Sequence, residues 1–140
     1  MNYQNILVAI ELTEESKQLI DRAVSMAKLT KANLSFVHID GTHGEIYPEL
    51  IDIQSDPKSR PLNEPSNNLL EMFREYADYP LHQFLIGTGD LGDKLENTIN
   101  DNGFDLLICG HHHDFWSQIV SYSRHLINKS SIDILVIPIK

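Results

Sequence analysis

Five short apolar runs, spaced along the whole chain, limit what this sequence can fold into. They are residues 6–10 (Ile-Leu-Val-Ala-Ile), 33–39, 81–86, 105–109 and 132–137. Runs of strand length with little polar alternation suit strands covered on both faces. The intervening segments keep a helical beat. Leu19, Ile20, Ala23, Val24 and Ala27 form one stripe, and Leu69, Leu70, Phe73, Tyr76 and Ala77 form a second over 67–77. Leu91, Leu95 and Ile99 form a third, and Phe115, Trp116, Ile119, Val120, Ser123, Leu126 and Ile127 a fourth. Spacings of three and four residues put each set on one helix face. Alternating strands and helices imply a parallel sheet with right-handed crossovers.

The fold expected is α/β: a single open, doubly wound, five-stranded parallel sheet, order 3-2-1-4-5, with helices on both faces. One domain accounts for all 140 residues, a length that supports a core without disulfide or metal staples. Thr13 is read as the cap of the first helix, with Glu14 and Glu15 in its first turn, and Asp90 with Asp93 as a capping-box-like start to the third. Residues 41–65 break the rhythm and hold Pro48, Pro57, Pro61 and Pro65. Such a connection is a functional lid or a mobile surface excursion. The second reading is preferred, with Ile46, Tyr47, Leu50 and Ile51 docking as a short helical turn.

Composition narrows the function. The formal charge of −9 disfavours attraction to nucleic acid or an anionic membrane face. No apolar run approaches the roughly 20 residues of a membrane span, and the first residues lack the basic region of a signal peptide. A cytoplasmic location is expected. Cys109 is the single cysteine. It lies within an apolar run and is read as buried and inert.

In a sheet of this order, ligands bind at the carboxyl ends of the strands, at the switch point between the first and fourth. The loops facing it are 11–13, 38–41 and 110–114. The last of these is Gly110-His111-His112-His113-Asp114. A phosphate nest needs approachable backbone N–H groups, and glycine leaves them open. Here Gly110 is followed by bulky imidazoles, which carry little charge at pH 7. Glu11 and Asp114 add negative charge, and the turn has no lysine. Tight ATP binding is not expected.

His111, His112 and His113 are weak metal candidates. Imidazole ligates zinc, copper and nickel, but consecutive side chains in an extended turn diverge, so no metal is expected. Asp114 is read as a helix cap and Trp116 as core or interface. Gly87, Gly89 and Gly92 formally match a dinucleotide fingerprint, but they follow the third strand at a sheet edge, without the acidic partner in place, and are read as a turn. No catalytic constellation is found: Ser117, Ser121 and Ser123 point in different directions on a helix. A receiver-domain reading fails for lack of an acidic pair after the first strand.

Residues 5–10 (Asn-Ile-Leu-Val-Ala-Ile), 23–28, 87–92, 105–114 and 126–138 together resemble the universal stress protein family over nearly the whole chain. The Gly-His-His turn leading to Asp114-Phe115-Trp116-Ser117, and Tyr47-Pro-Glu-Leu-Ile-Asp-Ile53, resemble its universal stress protein A branch. The family's nucleotide-binding class carries Gly-x-x-Gly, nine residues, then Gly-Ser or Gly-Thr. In this sequence those glycine positions hold Gly110, His113 and Ser123, and the aspartate that closes the first strand is Glu11. The resemblance therefore implies the class without bound nucleotide, a stress-response regulatory or interaction protein that is not an enzyme and needs no cofactor. The alternative is an ATP- or AMP-binding module whose contacts would come from Glu11, Ile39, Asp40, Gly110, His113 and Ser123. A metal-dependent hydrolase using the histidine turn is a more remote third. Unknown protein partners are expected. So is a homodimer through the apolar fifth strand, by way of Ile132, Ile134, Val136 and Ile137, because exposed apolar edges invite pairing.

Overall fold

The computed structural model describes residues 3–40, 51–54, 64–88, 98–110 and 132–138. Its elements are β1 (Asn5–Ala9), α1 (Ser16–Thr30), β2 (Asn33–Asp40), β3 (Ile51–Asp52), α2 (Glu64–Ala77), β4 (Leu81–Thr88), β5 (Leu106–Gly110) and β6 (Asp133–Ile137). The sheet runs β3-β4-β2-β1-β5-β6. The five longer strands are parallel, in the order the sequence implies, and β1 sits between β2 and β5. The departure is β3, a two-residue strand antiparallel to β4. Ile51 therefore belongs to a strand, not to a helical turn, and β4 is not the outermost strand.

Strand alternation sorts the apolar side chains into two clusters. Ile6, Val8, Ile10, Leu34, Phe36, Phe84, Ile86, Leu106 and Ile108 face one side, where α1 and α2 bring Leu19, Ile20, Ala23, Leu70 and Phe73. Leu7, Ala9, Val37, Leu85, Leu107 and Cys109 face the other, with Ile99 and Phe104. Residues 98–102 are helical, so both faces carry helix. The rings of Phe36 and Phe84 meet edge to face, 5.4 Å apart, across neighbouring strands. That is a favoured aromatic geometry.

Three local readings are corrected. α1 begins at Ser16, and Thr13 is not its cap. Instead the carbonyls of Thr13, Glu14 and Glu15 accept from the amides of Ser16, Lys17 and Gln18, so both glutamates lie in a tight turn ahead of the helix. α2 begins at Glu64, three residues early, with Pro65 in its first turn. Proline is tolerated there because that N–H has no intrahelical partner. Tyr76 leaves the buried stripe and is 41% exposed; its hydroxyl donates to the Asp21 carboxylate on α1.

Candidate functional site

The ladder between β1 and β2 runs in register to Ala9 and Val37, and the Ile10 amide adds one more bond to the Val37 carbonyl at 2.9 Å. The chain then turns away at Glu11. Ser16 closes this turn. Its hydroxyl donates to the Glu11 carbonyl at 2.6 Å and accepts from the Glu11 amide at 3.0 Å, and the residue is 1% exposed. A buried hydroxyl thus satisfies both backbone groups of the residue that leaves the sheet. Leu12 packs partly against the first cluster.

His38, near the end of β2, reaches across to β1. Its Nδ1 lies 3.0 Å from the Ile10 carbonyl. A carbonyl only accepts, so Nδ1 carries the proton and donates. The imidazole thereby fixes the end of β2 against the loop that begins at Glu11. Beyond it, Ile39 and Asp40 stand in β2 opposite Gly87 and Thr88 of β4.

All five residues of β5 are buried. Gly110 is its last residue and pairs with Ile137, so the three histidines follow directly in sequence on the strand's end. Burial pushes the Cys109 thiol up to about 12. It stays protonated at neutral pH, as an inert core residue does.

The sheet order brings Glu11, Ile39, Asp40 and Gly110 to one edge, the carboxyl ends of the adjacent strands β2, β1 and β5. His111, His112, His113, Asp114 and Ser123 lie outside the described residues. Among the described residues no group of three or more His, Cys, Asp or Glu could hold a metal ion. Gly87 is a buried residue inside β4, paired with Ile39. The formal glycine fingerprint therefore opens within a strand instead of a turn. Ser16 shapes this site without having been singled out for it, whereas His38 belongs to the 38–41 segment expected there and only its contact with Ile10 was not foreseen. Ser16 has a legible signal: a hydroxyl at the head of an apolar helical stripe, seven residues past the end of β1.

At the far edge, Ile132, Ile134 and Val136 are partly buried and pack against the second cluster, whereas Ile137 is 4% exposed within the first. Of the four interface candidates, Ile137 is already covered by its own chain.

The family model for universal stress proteins matches residues 2–138. This chain belongs to the universal stress protein family. Universal stress protein A of Yersinia pestis is 41% identical over 140 residues, covering all of this chain and 95% of the relative. Among solved structures, a universal stress protein in complex with cAMP superposes with a TM-score of 0.62 at 17% identity, covering 98% of both chains. The Archaeoglobus fulgidus universal stress protein in complex with dAMP gives 0.55 at 18% identity, covering all of both. These likenesses show the family's α/β fold. Membership supports a role in the stress response.

Proposed function

We propose that this chain acts in the stress response as a regulatory or interaction protein in the cytoplasm, without tight ATP binding and without catalysis. One observation carries the reading. The strand that should deliver a phosphate loop, β5, ends at Gly110 and runs directly into His111-His112-His113-Asp114, with Ser123 at the later glycine position. By sequence, residues with side chains occupy positions where a nest needs bare backbone. Glutamate at position 11 places a carboxylate-bearing residue on the same edge as Asp40. Full-length identity to universal stress protein A supports the same reading. Among the described residues, no helix is long and apolar enough to cross a membrane.

Two structural neighbours hold cAMP and dAMP. They motivate the second reading, an adenine nucleotide held at the strand ends near Glu11, Ile39, Asp40 and Gly110. We propose further that the chain forms a homodimer through β6. Acid extraction of protein purified without added nucleotide, followed by chromatography, separates the two functional readings. The first predicts no adenine nucleotide in the extract. A near-stoichiometric AMP or ATP peak would favour the second.

A further inference from the structure

Residues 51–54 meet the edge of β4 in an unusual way. Only two of them form a strand, yet they reach from Leu81 to Ile86. Ile51 stands opposite Ile86, and Asp52 opposite Leu85. The Ile53 amide donates to the Phe84 carbonyl at 2.9 Å. Two side chains then continue the cover. The Asp52 carboxylate accepts from the Phe84 amide at 3.1 Å and from the Gln54 amide at 3.0 Å. The Gln54 carboxamide donates to the Leu81 carbonyl at 3.0 Å. Ile53, 5% exposed, anchors the segment in the first cluster. A carboxylate and a carboxamide thus stand in for the backbone of a neighbouring strand.

We propose that residues 51–54 are an edge guard, which keeps β6 of a second copy of this chain from pairing with β4. The sheet has two ends, and β6 is the outermost strand at one of them. Its Ile134, Leu135 and Val136 are only partly buried among the described residues. If β4 were equally open, β6 of one copy could add to β4 of the next, and the association would never close. Unpaired N–H and C=O groups on a strand with the sequence Phe84-Leu85-Ile86 invite such pairing. With β4 occupied by the two-residue β3, the remaining long strand edge among the described residues is β6 itself, and a contact between two β6 edges closes after two copies. The proposal rests on β6 being the pairing edge.

The test is Asp52→Ala in the full chain, with Asp52→Asn beside it. The asparagine keeps an acceptor oxygen for the Phe84 amide. Amide-resolved hydrogen exchange reads the guard, and light scattering across a concentration series reads the assembly. In the alanine variant the Phe84 amide should exchange roughly ten- to a hundred-fold faster, the range for losing a bond to a charged acceptor. Assemblies larger than the wild-type species should grow with concentration. The asparagine variant should stay near wild type on both readouts. Adding Val136→Lys to the alanine variant should abolish the large assemblies and leave the fast Phe84 exchange. Unchanged Phe84 exchange in the alanine variant would overturn the proposal, as would fast exchange with no larger assembly. Should Asp52→Ala fail to fold, Gln54→Ala removes the bond to Leu81 alone and must show the same two effects in weaker form; its failure to do so would also overturn the proposal.

Discussion

Replacing Ser16 by alanine isolates the turn that leads out of β1. The hydroxyl makes two hydrogen bonds, one in each direction, to the backbone of Glu11. Each such bond contributes roughly 0.5–1.5 kcal/mol net. Losing both costs about 2 kcal/mol. Alanine recovers roughly 0.5 kcal/mol by its better helix propensity at the first position of α1. The balance is about 1.5 kcal/mol of destabilisation, or ~3–6 °C in Tm for a chain of this size. Urea unfolding gives the first quantity. Amide exchange at Glu11 tells where the loss falls: it should rise more than exchange in β2 or α2. A change below about 0.5 kcal/mol, with the Glu11 amide still protected, would refute the reasoning. It would mean that water already serves that backbone.

Three further outcomes are expected. Phe84→Ala should cost ~3–5 kcal/mol in denaturant unfolding, because Phe84 is fully buried and its ring meets Phe36 edge to face. Cys109 gives a pH dependence. The folded thiol holds its proton to about pH 12, and the unfolded thiol releases it near 9.0. Between those values the folded state binds more protons, so stability is complete below pH 9 and falls as pH rises. The slope is at most about 1.4 kcal/mol per pH unit. Urea titrations at pH 8, 9 and 10 should show it in the wild type, and Cys109→Ala should lack that component. Finally, if the proposed β6 homodimer forms, Val136→Lys with Ile134→Lys should convert it to monomers in light scattering without loss of helix signal in circular dichroism. Monomeric wild type at micromolar concentration would remove the basis for that expectation.

The sheet was readable because its signal is redundant. β1 and β5 are covered on both faces, so residues 6–10 and 105–109 announce themselves without neighbours. Alternation and handedness narrowed the possible orders, and the most economical of them is the order of the five longer strands. Element ends were harder, for physical reasons. Thr13 had the chemistry of a cap, but Ser16 is the hydroxyl that burial places against the Glu11 backbone. Pro65 looked like a break, but a first-turn position needs no N–H. β3 could not be read at all. Two residues carry no periodicity, and part of the cover that residues 51–54 give β4 comes from the side chains of Asp52 and Gln54. The candidate site was legible as a place, since topology brings Glu11, Asp40 and Gly110 to one edge. The His38 contact to Ile10 was not, because it spans 28 residues and depends on the register of β1 against β2.

The edge of the sheet holding Glu11, Asp40 and Gly110 is proposed not to bind ATP tightly. Isothermal titration of the acid-checked, nucleotide-free protein with ATP and magnesium decides this. No heat beyond dilution is expected up to millimolar ATP. A saturable isotherm with a micromolar or tighter Kd, weakened by Glu11→Ala or by a bulky residue at Gly110, would contradict it.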